Sequence, residues 1–231
     1  MVAIDGAVVL VTGGRRGLGK SIVDEFLARG AAKVYATARI VDESQDPRVV
    51  VRPLDVTDEN SVAALAQSLG DVSIVVNNAG AGGSDPLLDA SIDDVREVFE
   101  TNVFGALRVA KKFAPILGRN GGGALVDVHS VLSWVSGAGG YGASKAALWS
   151  LTNSLRLELA PQGTLVTGVH LGYTDTDMIA HLDVPKNDPR DVAKAIVDAL
   201  ESDVTEVLAD DVTRYFKSVL AGPVEGLAIP A

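Results

Sequence analysis

Residues 7–21 read "AVVLVTGGRRGLGKS", an apolar run that ends in a glycine-rich turn and passes into a helical pattern. Gly13, Gly17 and Gly19 stand at the spacing G-x-x-x-G-x-G. A strand before such a turn and an amphipathic helix after it form the context in which a chain grips a dinucleotide. Gly13 permits the sharp turn, Gly17 lets the backbone approach a pyrophosphate, and Gly19 lets helix and sheet pack closely. The helix N-terminus adds unpaired N–H groups and a partial positive charge for the phosphates. An ordinary strand-to-helix loop can also carry glycines, so the surroundings must decide.

Working outward, short β-rich runs alternate with longer helical patterns. The runs 7–12, 33–38, 49–52, 72–77, 124–129, 164–170 and 206–209 read as strands, and helices are expected over 18–29, 58–69, 91–117, 142–160 and 189–202. The strands show little polar alternation, as strands covered on both faces do, which predicts an α/β fold built on a parallel sheet. Two helices carry apolar stripes, Ile92, Val95, Phe99, Val103 and Leu148, Leu151, Leu155, Leu159. Each stripe is either a core face or an interface between copies. No repeat or long linker divides the 231 residues, so a single domain spanning 1–231 is expected.

Composition narrows the function. A formal net charge of −10 disfavours general binding to nucleic acid or to an anionic membrane. With 47% hydrophobic but only 5% aromatic residues, the core must be packed by Ala, Val, Leu and Ile. Cysteine is absent, which removes disulfides and thiolate metal sites, and no metal site is expected. Neither a signal peptide nor a run of eighteen apolar residues is visible, so a cytoplasmic location is the expectation.

The second strand bears on which dinucleotide is bound. An acidic residue about twenty positions beyond the glycine turn takes the ribose 2′-hydroxyl in NAD sites. Here "VYATAR" ends in Thr37, Ala38 and Arg39, and Arg15 and Arg16 precede Gly17. Guanidiniums without a carboxylate suit a 2′-phosphate, so NADP(H) is preferred, with NAD(H) kept open because Asp42 and Glu43 follow closely.

Further along lie "LDVTD" (54–58), "NNAG" (77–80), Asn102 in "TNVFG", Ser130 in "VDVHS", "YGASK" (141–145) and "LGYTDTDM" (171–178). With "TGGRRGLG" (12–19) and in this order, the chain resembles the short-chain dehydrogenase/reductase family. The resemblance covers about 12–178. It implies a Rossmann fold with a doubly wound seven-stranded parallel sheet, helices on both faces, and a homodimer or homotetramer built through the striped helices. It further implies that Gly13, Arg15, Arg16, Gly17, Leu18, Gly19 and Arg39 hold the phosphate end of the cofactor. Asp55 and Val56 would flank the adenine, and Asn78, Ala79 and Gly80 would line the middle. Tyr141 and Lys145 would reach the nicotinamide ribose, and Gly172, Thr174 and Thr176 the carboxamide end. "LDVTD" also reads as a strand end with Thr57 or Asp58 capping a helix, and the asparagines of "NNAG" also read as turn residues.

Tyr141 and Lys145 sit one helical turn apart and can address one pocket. The family gives the tyrosine of this motif the general acid/base role. A free phenol ionises near ~10, and a neighbouring ammonium together with oxidised nicotinamide favours its anion, so its pKa is expected to fall. By the same resemblance Ser130 donates to the developing alkoxide and Asn102 holds a water linking Lys145 to solvent. Gly142, Ala143 and Ser144 are expected to let cofactor and substrate come close. Three departures stand out. Ser133 is a candidate substitute for Ser130. His129 replaces a frequent second serine and is assigned no catalytic role. Leu171 stands where a proline usually precedes the glycine.

Substrate choice is expected from 131–140 and a substrate loop at about 173–190. Leu132, Trp134, Val135, Tyr173, Met178 and Leu182 either line an apolar pocket or pack into the core. The activity implied is NADP(H)-dependent interconversion of a carbonyl (ketone or aldehyde) and an alcohol, with a small or medium apolar substrate expected. The alternatives are an NAD(H)-dependent alcohol dehydrogenase of the same family and a non-catalytic dinucleotide-sensing protein, whose usual sign is loss of the Tyr or Lys of the Y-x-x-x-K motif.

Overall fold

Consecutive apolar residues, as in Val8–Val11 and Ile74–Val76, give the central strands two apolar faces. In the computed structural model, which describes residues 1–41, 44–83 and 86–228, the strands form one seven-stranded sheet. They are β1 (Val8–Val11), β2 (Lys33–Ala38), β3 (Val49–Pro53), β4 (Ile74–Asn77), β5 (Ala124–Val128), β6 (Leu165–His170) and β7 (Glu206–Leu208). Their order is β3-β2-β1-β4-β5-β6-β7 and every pairing is parallel. Leu10 lies between Tyr35 and Val75 in the register, at the centre of the reversal in strand order. In open α/β sheets that reversal leaves a crevice at the carboxyl ends of the strands.

The alternation sorts the core into two layers. Val9, Val11, Ile74, Val76, Val126 and Val128 face α1 (Gly17–Ala28) and α6 (Pro189–Glu201). Leu10, Tyr35, Val75, Leu125 and Val166 face α2 (Glu59–Ser68), α4 (Ala106–Arg119) and α5 (Gly139–Leu159). The doubly wound architecture expected from the sequence is therefore present, in a single domain. A smaller cluster joins the turn after β5 to α7 (Asp211–Val219) through Val131, Trp134, Val135 and Phe216. Among the described residues, no helix is long and apolar enough to cross a membrane.

Three local features depart from the expected elements. The helix expected over 91–117 is broken into α3 (Ile92–Phe99), a π-helical segment Glu100–Gly105, and α4. Gly105 lets this segment approach the chain closely, since a Cβ there would lie 2.7 Å from Val56 Cγ2. Along the first stripe Ile92 is exposed while Val103, inside the π-helical segment, is buried. Helix α7, not expected, begins at a capping box in which Asp210 accepts from Thr213 N–H. Helix α5 starts three residues early, at Gly139, with φ +57°. Asp42 and Glu43, weighed above against NADP, lie outside the described residues.

Candidate active site

The floor of the crevice is laced between β1 and β4. Thr12 Oγ1 accepts the N–H groups of Asn78 (3.0 Å) and Ala79 (2.9 Å), and Asn78 Nδ2 donates to the carbonyls of Thr12 (2.9 Å) and Gly13 (3.3 Å). Asn78 therefore shapes the turn itself. Gly13 and Gly17 take φ +65° and +50°, where only glycine is at ease. A Cβ on Gly19 would lie 2.2 Å from Gly13 O, so helix α1 leans directly on the turn. Gly17 faces Thr176 across the crevice, its virtual Cβ 3.2 Å from Thr176 Cγ2.

Helix α1 has Arg16 at its N-cap position, with no side-chain cap bond and no acidic residue in its first turn. Its leading N–H groups are thus left for an anion. Arg16 and Arg39 are exposed and Arg15 half-buried at the same rim. Asp55 is turned to Thr57, accepting from its hydroxyl at 2.7 Å and its N–H at 2.9 Å. These bonds, helped by Arg39, hold its carboxyl below the usual range. Asp58 caps α2, and Val56 is buried against the π-helical segment. This cradle of glycines, uncapped helix and guanidiniums fits the pyrophosphate and 2′-phosphate of NADP.

Next to it, β5 ends at Ser130. The Ser130 hydroxyl accepts from Leu132 N–H (3.1 Å) and is the hydrogen-bond partner of the Tyr141 phenol. Ser133 is also buried, but its Oγ finds no hydrogen-bond partner among the described residues. One turn along α5, Lys145 is buried, its Nζ 5.8 Å from the Tyr141 ring centre and donating to Val128 O at 2.7 Å. Asn102, in the π-helical segment, clamps Ala81 through both its backbone groups (2.8 and 3.0 Å) and donates to Ser144 Oγ (3.0 Å). Gly80 lies over this group, its virtual Cβ 3.2 Å from Asn102 Oδ1 and 3.8 Å from Lys145 Nζ. Ser130, Tyr141, Lys145 and Asn102 thus converge beside the glycine turn.

The expected lowering of Tyr141 includes the charge of oxidised nicotinamide; in the chain by itself burial dominates. Burial pushes the Tyr141 phenol up to about 12, and the Ser130 hydroxyl opposes this only in part. Burial also pulls Lys145 down to about 8. The phenol is therefore not lowered in the chain alone. Desolvation of the neutral-favouring pocket outweighs an ammonium that is engaged by Val128 O.

The small residues of "YGASK" also act otherwise than expected. Gly142 is buried because a Cβ there would meet Ala138 Cβ at 2.5 Å and Leu132 O at 2.9 Å. Ser144 is fully buried and donates to Tyr141 O at 2.7 Å. Only Ala143 is exposed. Trp134 and Val135 belong to the core with Phe216, whereas Tyr173 and Met178 are exposed and Leu132 and Leu182 half-buried. Leu171, in the place of the usual proline, is buried in the core and its carbonyl accepts from Val131 N–H at 2.9 Å.

One residue was missed by sequence reasoning. Asp210 Oδ2 accepts from Gly172 N–H and from Asn187 Nδ2, each at 2.6 Å, while its Oδ1 caps α7. Thr174 and Asn187 form a parallel bridge, so the segment 172–187 leaves and returns at one carboxylate. The D-x-x-T cap pattern of 210–213 was its sequence signal.

A doubly wound sheet with a glycine turn at its switch point and a Ser/Tyr/Lys group beside it defines a dinucleotide-binding oxidoreductase fold. The family model described as short chain dehydrogenase matches residues 7–187, and the chain belongs to this family. A short chain dehydrogenase from Burkholderia cenocepacia, solved in complex with NADP, superposes with a TM-score of 0.92 at 36% identity, covering 97% of this chain and 96% of that one. The NADPH-dependent 1-acyldihydroxyacetone phosphate reductase of Schizosaccharomyces pombe is 38% identical over 73% of this chain, but the match spans only 60% of that protein's length. The 7alpha-hydroxysteroid dehydrogenase of Escherichia coli is 32% identical over 79% of this chain and 77% of its own.

Proposed function

We propose that the chain is an NADP(H)-dependent oxidoreductase that interconverts a small ketone or aldehyde with its alcohol. The observation that carries this reading is the hydrogen-bonded Ser130–Tyr141 hydroxyl pair with Lys145 buried one turn away, beside the glycine turn. The cofactor, when bound, supplies or accepts the hydride. Tyr141 is the general acid: a phenol protonated up to about 12 holds its proton at neutral pH and gives it to the carbonyl oxygen. Ser130 donates a hydrogen bond to the same oxygen as charge develops there. Lys145 supplies the positive charge that stabilises the phenolate left behind, and Asn102 fixes the floor on which Lys145 lies. Arg15, Arg16 and Arg39 select the 2′-phosphate. The NADP and NADPH in the names of two relatives favour the same cofactor. Residues 131–140 and 173–190 frame the substrate, and assembly as a homodimer or homotetramer belongs to the same reading.

A panel of carbonyls and alcohols followed by nicotinamide absorbance, with both cofactors in parallel, tests this. We expect turnover with NADPH at least about tenfold more efficient than with NADH, the worth of one charge-assisted contact. Equal use of both cofactors would overturn the arginine assignment, and no turnover across the panel would overturn the activity.

The pH profile gives a second test. The profile of kcat/KM for NADPH reports ionisations of the free enzyme. Lys145 carries its charge below about 8 and loses it above. Reduction is therefore expected to be flat through neutrality and to fall as pH rises past about 8. Tyr141 contributes no limb there, since it remains protonated. A profile flat to pH 10 would exclude a charged Lys145 from the rate.

A further inference from the structure

Beneath the site runs a buried polar chain that the mechanism above does not use. Asp127 Oδ2 lies 2.7 Å from Thr152 Oγ1, which lies 2.8 Å from His129 Nε2. His129 Nδ1 is 3.2 Å from His170 Nε2, and His170 Nδ1 is 3.2 Å from the carbonyl oxygen of Ser130. All four side chains are essentially inaccessible to solvent. Room for the first ring is made by Gly168 on the neighbouring strand, where a Cβ would lie 2.6 Å from His129 Cε1. The second ring is stacked on Trp134, centroids 3.9 Å apart.

With both histidines held neutral by burial, counting protons fixes the direction of this chain. Its four contacts need four hydrogens. An ionised Asp127, one hydroxyl and two neutral imidazoles supply three. The ionised arrangement would point every donor toward Asp127 and leave the bare Nδ1 of His170 facing the Ser130 oxygen, two acceptors opposed. With the fourth proton on Asp127, each link is filled in turn: Asp127 donates to Thr152, Thr152 to His129, His129 to His170, and His170 Nδ1–H to Ser130 O. The other contact of Thr152, to Leu148 O at 2.8 Å, is dispensable because that carbonyl is helical. Burial acts in the same sense, raising Asp127 and holding both histidines neutral. The charges around the chain are Lys145 and Arg156 on α5, Glu206 on β7 and Lys217 on α7. Glu206, 3.8 Å from His170 Nε2, is held instead by Lys217 at 2.7 Å.

We infer that Asp127, Thr152, His129 and His170 form a one-way hydrogen-bonded chain whose last donor holds the Ser130 carbonyl, making His170 a positioning residue for the Ser130 hydroxyl. The carbonyl so held also accepts from Ser133 N–H (3.0 Å), which closes the turn whose Leu132 N–H binds Ser130 Oγ. The inference rests on the role proposed for Ser130.

Two measurements test it. In ¹⁵N-histidine spectra of the unmodified protein, His129 and His170 should both be neutral Nδ1–H tautomers from pH 6 to 8. An Nε2–H tautomer or an imidazolium at His170 overturns the chain. In the second, His170→Phe keeps a ring against Trp134, and should lower kcat about tenfold with NADPH affinity unchanged. Ser130→Ala should cost about a hundredfold. If His170 acts through Ser130, the double variant is no slower than Ser130→Ala alone. Additive losses, or undiminished kcat in His170→Phe, overturn the positioning role. Undiminished activity in Ser130→Ala overturns the reading of Ser130 beneath it, while the spectra still decide the chain.

Discussion

Tyr141→Phe is expected to keep the fold and NADPH binding and to lose carbonyl reduction by roughly 10²–10⁴-fold, the usual worth of a positioned proton donor. The substitution removes one oxygen. The ring retains its place above Lys145, and Lys145 keeps its bond to Val128 O, so the pocket has no reason to collapse. The Ser130 hydroxyl loses its partner but remains bonded to Leu132 N–H. Fluorescence titration with NADPH and single-turnover reduction at pH 7 separate binding from chemistry. A well-folded variant that reduces substrate at the original rate would remove Tyr141 from the mechanism.

Gly19→Ala is expected to destabilise the protein by about 3 kcal/mol or more and to abolish measurable NADPH binding. The added methyl would lie 2.2 Å from Gly13 O and 2.6 Å from Asn78 Nδ2. The first is backbone and cannot swing aside. The second is pinned by its bonds to Thr12 and Gly13. Relief therefore requires helix α1 to move off the turn, taking its N-terminal N–H groups with it. Gly70→Ala is the control, since a Cβ there meets nothing within 4 Å. Urea unfolding of both variants, with cofactor titration, gives the comparison. Equal midpoints would mean that the close approach of helix and turn carries no stability.

These two sites differ in how plainly the sequence announced them. Gly19 was legible because strand, turn and helix are neighbours along the chain and glycine spacing is a local signal. The seven strands were legible for a similar reason: runs such as "SIVVN" are too apolar to be anything but doubly covered. Tyr141 and Lys145 were visible as a pair, but their electrostatics were not, because burial comes from residues far away in sequence. His129 was given no role, since its meaning depends on Thr152, His170 and Gly168, each on another element. Trp134 reads in sequence equally as pocket lining, because Phe216 and His170, which pack against it, lie on other elements. The π-helical segment at Glu100–Gly105 left no periodicity of its own within an otherwise helical stretch.

The family model matches residues 7–187, and the carboxylate that gathers both ends of segment 172–187 is Asp210, beyond that match. The stretch matched by the family model thus depends on a residue outside it. Exchanging the segment between relatives to alter substrate preference would transplant a strap without its buckle unless the residue at 210 travelled too. The exposed side chains between the two fastenings, Tyr173 and Met178 among them, are where substrate choice can change without loosening either end.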